Sequence, residues 1–367
     1  MFSTSVRLSG AHGIWLSAGA DEITMMTVGC IPMSSMSLQV HIASSLGHRM
    51  LRVLLVKTSS LGDVVHNLPV ASDIHGHFPD AAIDWIVEEP FAPLARMHPA
   101  VRRVIPVAVR RWRRRVLGRN TWQEMAEFRR LSQAESYDAI IDSQGLLKST
   151  LIARAARGRR HGFDADSARE PLAARFYDVK HHIARGQHAV LRNRLLAAAA
   201  LGYRLETPVD YGLSRADPGT RALQPRYCVI LHGTSRSDKL WPLEHWIEVG
   251  LRLQAIGINC VLPWGTEQEH ARSKAIAVAL DEATVPVRLP IVDVAMLLAA
   301  SAMVVGVDTG LTHLAAATGR PVVGIFMSTD PVLTGVYGAR QARNLGHLGA
   351  LPRPEDVMAA LSEMKAI

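Results

Sequence analysis

From Leu51 onward the chain repeats one pattern: a short, nearly continuous apolar run, a turn bearing Gly, Asp or Pro, then a segment of helical spacing. "LRVLLV", "IDWIVE", "RVIPVAV" and "DAIIDSQ" are the runs of a first series, with helical segments such as "DVVHNLPVASDIHGHF" and "TWQEMAEFRRLSQAE" between them. Runs that are apolar on both faces are what a parallel strand covered by helices requires, whereas a half-exposed strand would alternate. After "QHAVLRNRLLAAAALGY" the series gives way to the polar "SRADPGTRALQPR" and restarts with "YCVILHG", "INCVLPWG", "AMVVGVD" and "PVVGIF". An alternation that restarts predicts an α/β chain of two Rossmann-like, doubly wound domains facing each other across a cleft. The predicted divisions are a leader at 1–49, a first domain at 50–214, a linker at 215–226, a second domain at 227–350, and a C-terminal helix at 351–367 packing back toward the first domain.

With 367 residues and 48% hydrophobic content, each domain can bury a core of its own. Residues 1–49 stand apart, with little charge and no sustained periodicity, and read as a poorly structured leader. Gly and His interrupt the one apolar patch before the A-x-A at Ala18 to Ala20, which argues against a secretory signal. No run of about 18 apolar residues exists, so no membrane-spanning helix is predicted. Cys30, Cys228 and Cys260 form no C-x-x-C, and two of them lie inside apolar runs, where a thiol acts as a small hydrophobe. That usage fits a reducing cytoplasm.

The net charge of +8 is unevenly spread. Residues 51–200 carry 24 Lys/Arg against 15 Asp/Glu, a balance of +9, while residues 1–50 are neutral and residues 201–367 carry −1. An anionic partner is therefore expected for the first domain alone.

In doubly wound sheets, ligands bind at the carboxyl ends of the strands. That rule selects Thr58 to Asp63 in the first half, and His232 to Lys239, Trp264 to Glu269 and Asp308 to His313 in the second. In "VDTGLTHLAAATG", Thr309 and Gly310 open a helix whose free N–H groups and positive dipole end suit a diphosphate, with Gly310 allowing close approach; a simple N-cap is the alternative. In "LHGTSRSDKLWP", Thr234 and Ser235 offer hydroxyls and Lys239 a charge for a departing diphosphate, against the alternative of a solvated loop. Asp63 either N-caps the helix after "TSSLG" or takes a proton from an incoming hydroxyl. The run "VRRWRRR" is a solvated face, a nucleic-acid surface, or a binder of carboxylates and phosphates. "DAD" at Asp164 to Asp166 does not end an apolar strand and reads as chance, and His181 and His182 lack metal-ligand spacing. Neither G-x-G-x-x-G nor a Walker loop occurs, which disfavours a dinucleotide oxidoreductase.

"VKTSSLGDVVHNLP", "VIPVAVRRWRRR", "YDAIIDSQGLLKS", "AREPLAARFYD", "LHGTSRSDKLWPLEHW", "LPWG" and "VDTGLTHLAAATGRPVVGIF", in this order from about Leu51 to Gly338, closely resemble the lipopolysaccharide heptosyltransferases, in particular the type that adds the first heptose. Residues 1–49 have no counterpart there. The resemblance implies a GT-B glycosyltransferase, inverting and free of metal or other cofactor, moving L-glycero-D-manno-heptose from ADP-heptose to the first 3-deoxy-D-manno-octulosonic acid (Kdo) of Kdo-lipid A. It further implies peripheral contact with the inner face of the inner membrane and no nucleic acid partner. Asp63 then corresponds to the catalytic base, and Thr234, Ser235 and Lys239 to diphosphate ligands, with Lys239 also serving catalysis. Glu269 corresponds to the nucleoside-binding carboxylate. Asp308 corresponds to the residue holding heptose hydroxyls, with Thr309, Gly310 and His313 completing the donor pocket, and Leu289 stands where relatives line the adenine pocket with Met. Arg110, Arg111, Arg113, Arg114 and Arg169 fall at acceptor-binding positions. The sister activity, addition of the second heptose, is the alternative that shares this fold and donor.

Overall fold

The computed structural model describes residues 50–115, 118–213, 226–234, 236–281, 283–339 and 341–367; the predicted leader, and the predicted linker except Arg226, lie outside them. β1 (Arg52–Val56), β2 (Ala82–Glu88), β3 (Val101–Val107), β4 (Ser136–Asp142), β5 (Arg157–Phe163) and β6 (Val179–His181) form a parallel sheet in the order 3-2-1-4-5-6. Its helices are α1 (Leu61–Val65), α2 (Leu68–His77), α3 (Ala92–Arg96), α4 (Val109–Trp112), α5 (Arg119–Ser132), α6 (Leu147–Ala153) and α7 (Ala189–Leu201). β7 (Tyr227–Leu231), β8 (Asn259–Val261), β9 (Met303–Val307), β10 (Val322–Ile325) and β11 (Ala342–Leu345) form a second parallel sheet in the order 11-10-9-7-8. α8 (Leu243–Gln254), α9 (Glu267–Ala277), α10 (Ile291–Ala300), α11 (Gly310–Ala317), α12 (Pro331–Thr334) and α13 (Pro354–Glu363) accompany it.

Both strand orders are doubly wound, as the sequence predicts. Each reverses direction once, between β1 and β4 in the first sheet and between β7 and β9 in the second. Loops leaving such neighbouring strands diverge to opposite faces and open a crevice at the carboxyl edge. Lys57 to Asp63 follow β1, Gly233 and Thr234 follow β7, and Asp308 follows β9, so each group stands at a reversal.

One apolar cluster joins the two halves. Val53 and Leu55 of β1, Leu68 and Ile74 of α2, Val229 of β7, Val304 of β9 and Leu314 of α11 belong to it, all at most 1% exposed except Val229's neighbours on the rim. A second cluster packs α8 and α13 on the second sheet, through Trp246, Leu253, Val357 and Leu361. This corrects the expected course of residues 351–367. α13 lies on the second sheet rather than returning to the first domain, because its apolar face is buried there and Arg226 Nη2 donates to the carbonyl of Ala366 at 2.7 Å.

Some elements differ from the sequence reading. The segment "DVVHNLPVASDIHGHF" is two helices, breaking at His66 and Asn67, with Pro69 in the first turn of α2, where its missing N–H leaves no intrahelical bond unmade. β5 and β11 are too polar to register as buried strands: β5 reads "RGRRHGF" and is buried only over its last three residues.

A buried ion pair braces the first domain. Arg194 of α7 donates from Nε to Asp73 Oδ2 and from Nη2 to Asp73 Oδ1, both at 2.7 Å, and Nη2 also reaches the carbonyl of Thr207 at 2.9 Å. Both side chains are under 5% exposed. Removing one partner strands the other's charge in the interior, so Arg194→Ala should lower the unfolding free energy by about 3–5 kcal/mol. Urea titration reads this directly, and an unchanged midpoint at unchanged slope would contradict it.

Candidate functional site

α1 starts from the N-cap residue Ser60, and Asp63 is its third residue. One carboxylate oxygen closes the cap: Oδ2 accepts from the Ser60 backbone N–H at 3.0 Å and from its hydroxyl at 3.3 Å. The other faces cations. Arg169 Nη2 donates to Asp63 Oδ1 at 2.7 Å, and Lys57 Nζ lies 3.8 Å from the same oxygen. Asp63 therefore does both things the sequence left open, capping α1 and presenting a carboxylate to the cleft.

Burial alone would disfavour the Asp63 charge, but Lys57, Arg169 and the Ser60 N–H outweigh it and hold the carboxyl well below its usual range. Lys57 is itself only 2% exposed, donating to the carbonyl of Ser143 at 2.8 Å and to Asn193 Oδ1 at 3.4 Å. Burial pulls its ammonium down to about 8, with Asp63 opposing. His66, one turn beyond Asp63, is buried with Nε2 unpartnered among the described residues, and burial keeps its ring neutral.

On the second sheet, Asp308 Oδ2 accepts from Lys239 Nζ and from Thr329 Oγ1, each at 2.6 Å, and His313 Nε2 lies 3.9 Å from Oδ1. Burial again opposes the charge, while His313, Lys239 and Thr329 hold the Asp308 carboxyl well below the usual range. Thr234 Oγ1 donates to the Asp308 carbonyl at 3.5 Å, bringing the β7 and β9 loops together. Thr309 is the N-cap of α11 but accepts no capping bond through its side chain, so hydroxyl and helix end both point to the cleft.

The two halves touch at a pair of glycines. A Cβ on Gly310 would stand 2.7 Å from Leu61 Cβ and 2.8 Å from the Gly62 nitrogen; one on Gly62 would stand 3.3 Å from His313 Cδ2. The bare Gly310 thus serves the approach of α11 to α1, which corrects its reading as a gap left for a diphosphate. His66 and His313 seal the same seam, ring edge to ring face at 4.5 Å.

Beside this seam opens a cleft of about 1000 Å³ lined from both domains. Asp63, Arg169, Thr234, Lys239, Glu269, Asp308, Thr309, Gly310 and His313 all border it. Ser235 lies outside the described residues. Glu269 is engaged in a capping box, its Oε2 accepting from Gly265 at 2.8 Å and Thr266 at 3.1 Å, so its free valence is Oε1, against Gly233. Leu289 does not border the cleft; it packs, half-buried, on the shared apolar cluster beside α10. Arg110, Arg111, Arg113 and Arg114 also lie away from it, on α4 and the turn after it. Arg111 is spent on Glu89 at 2.8 Å and Glu124 at 2.6 Å, and Arg110 stacks over Phe91.

Lys57, His66 and Thr329 are site residues that sequence reasoning missed. Lys57 and Thr329 obey the strand-end rule, at the ends of β1 and β10, while His66 has no distinguishing signal. Asp164, Asp166 and His182 bring ligand atoms within 4.8 Å of one another after β5 and could hold a cation, but they do not line the cleft.

The family model of glycosyltransferase family 9 (heptosyltransferase) matches residues 125–360. The chain is 46% identical over 300 residues to lipopolysaccharide heptosyltransferase 1 of Escherichia coli strain K12, covering 79% of this chain and 92% of that one. It is 46% identical over 312 residues to the protein of the same name from Pseudomonas aeruginosa, covering 82% and 84%. The solved structure of E. coli heptosyltransferase WaaC with ADP superposes with a TM-score of 0.81 at 43% identity, over 86% of this chain and all of that one. E. coli ADP-heptose lps heptosyltransferase II shares the fold, with a TM-score of 0.70 at 20% identity over 86% of this chain and 98% of that one.

The depressed Asp308 carboxyl makes a linkage prediction. A folded-state pKa below the unfolded value of about 3.9 contributes stability that is present above that value and lost as pH falls through the folded one. Asp308→Asn should therefore be less stable than the native protein at pH 7, with the gap closing as pH falls below about 4. Equal gaps in denaturation midpoint at neutral and acid pH would contradict the pairing.

Proposed function

From a chain that belongs to glycosyltransferase family 9, the heptosyltransferases, we propose the transfer of L-glycero-D-manno-heptose from ADP-heptose to the first Kdo of Kdo-lipid A, with inversion and without a metal, in the building of the lipopolysaccharide inner core. The single observation that carries this reading is the composition of the cleft: an ionised carboxylate with cations on one wall, and a lysine, hydroxyls and a helix N-terminus on the other. The first wall suits an anionic acceptor that must lose a proton. The second suits a nucleoside diphosphate leaving group.

In this reading the ADP diphosphate lies against Thr309, Gly310 and Lys239, and its nucleoside extends toward Glu269. Asp308 holds heptose hydroxyls. The acceptor hydroxyl gives its proton to Asp63 as its oxygen attacks the anomeric carbon, and the bond to the diphosphate breaks with its electron pair leaving on ADP. Attack opposite the leaving group inverts the centre in one displacement. Lys239 and the first N–H groups of α11 supply the positive charge that a divalent ion would otherwise provide.

A carboxylate held so far below its usual range is a weak base. An acceptor carboxylate that engages Arg169 draws this cation from Asp63 and raises its basicity only when the acceptor is seated. Acid chemistry at the wrong moment, on water, is thereby disfavoured. Addition of the first rather than the second heptose is favoured by 46% identity to the relatives named for heptosyltransferase 1, against 20% for the solved heptosyltransferase II. The enzyme would act at the inner face of the inner membrane, where such an acceptor is anchored; among the described residues no helix is long and apolar enough to cross a membrane.

Asp63→Asn keeps the side chain's size and should lower kcat by about 10²–10⁴ while leaving ADP-heptose affinity nearly unchanged, because the base acts only on the acceptor. Near-native kcat would refute the assignment. Turnover in excess EDTA should equal that in buffer; loss restored by Mg²⁺ or Mn²⁺ would bring Asp164, Asp166 and His182 back into consideration.

A further inference from the structure

α5 has one face buried and one exposed. Thr121, Phe128 and Ser132 point inward, while Trp122, Met125 and Arg129, spaced as one helical stripe, point to solvent. Trp122 is 58% exposed and Met125 39%, large apolar surface that contributes nothing to the core. Beside them, Arg113, Arg114 and Arg115 are exposed, and their side chains make no hydrogen bond or ion pair with any described residue. The acids nearby are already matched: Glu124 to Arg111 at 2.6 Å and Glu127 to Arg130 at 2.6 Å. Residues 110–130 hold eight Arg and two Glu, so the surface is strongly positive after these pairings.

We propose that the turn after α4 and the exposed stripe of α5 form a docking surface for an anionic lipid bilayer. Indole and thioether side chains seat at the headgroup boundary, and unpaired guanidiniums meet lipid phosphates while their stems remain in apolar contact. Nucleic acid would use the arginines but has no use for the Trp122 and Met125 stripe. A second copy of the chain would press this positive surface against itself. The placement also fits the cleft. α4 follows the carboxyl end of β3, Val107 pairs in register with Glu88, and the Glu88 N–H donates to the Thr58 carbonyl at 3.1 Å, so surface and Asp63 lie along one edge of the sheet. Docking by this surface brings the acceptor wall of the cleft to the bilayer. The surface itself does not depend on the identity of the sugar transferred.

Vesicles without any glycolipid acceptor test it, which keeps the outcome separate from the proposed activity. In co-sedimentation at low salt the full chain should bind phosphatidylcholine vesicles containing phosphatidylglycerol and pass over phosphatidylcholine alone. Trp122→Ser with Met125→Ser should weaken this binding roughly tenfold or more, with an unchanged melting temperature. Each of Arg113→Ser, Arg114→Ser and Arg115→Ser should cost about fivefold, and added salt should weaken the native protein most. Native binding by the Trp122/Met125 double variant, or no preference for anionic vesicles, would overturn the proposal. So would duplex DNA bound in preference to vesicles.

Discussion

The division of labour between the two oxygens of Asp63 is the interaction on which the rest of the site depends. Oδ2 is tied to Ser60 and thereby to the start of α1, which fixes the side chain without flexible intermediates. Oδ1 is left to Arg169 and the buried Lys57, which keep it charged inside a largely desolvated wall. A carboxylate in that position without the two cations would pay for burial by taking up a proton, and could then accept none. The same cations blunt its basicity, so a competent base requires a partner that competes for Arg169. An anionic acceptor is such a partner.

The second constraint is how closely two helix N-termini can approach. α1 carries the acceptor-side carboxylate and α11 the donor-side positive end, and they meet through Gly62 and Gly310, where a single Cβ would collide with backbone or with Leu61. The apolar cluster running from β1 through α11 holds both sheets behind that contact. Asp63 and Asp308 therefore border the same cleft although 245 positions separate them in the chain. The bilayer-facing stripe of α5 lies on the acceptor side of this arrangement, so a protein without a spanning helix has a means of meeting a substrate held in a membrane.

Much of this was legible in the sequence because parallel strands covered on both faces leave continuous apolar runs, and the residues just after such runs are the ones a doubly wound sheet brings together. Asp63, Thr234, Asp308 and Thr309 were found that way. β5 and β11 escaped because edge positions tolerate polar residues and leave no run to see. Lys57 escaped because a lysine ending a strand looks like a solvated boundary, and only the fold shows Ser143 and Asn193 enclosing it. Gly310 carried the right importance for the wrong reason, since no local pattern reveals that Leu61 of the other domain packs against it. Leu289 could not be placed because the stretch before α10 has no strand or helix to anchor a register. The arginines after β3 were visible as charge, but only the structure separates Arg111, held by Glu89 and Glu124, from the unpaired Arg113 to Arg115.

The central claim is that the cleft joins a heptose to an acceptor bearing Kdo and no heptose. The most direct measurement is the mass of the glycolipid after incubation of the native protein with ADP-heptose, using Kdo-lipid A in one reaction and an acceptor already carrying its first heptose in another. The account predicts a gain of one heptosyl residue on Kdo-lipid A and none on the heptosylated acceptor. No gain on Kdo-lipid A, or a gain confined to the heptosylated acceptor, would contradict it.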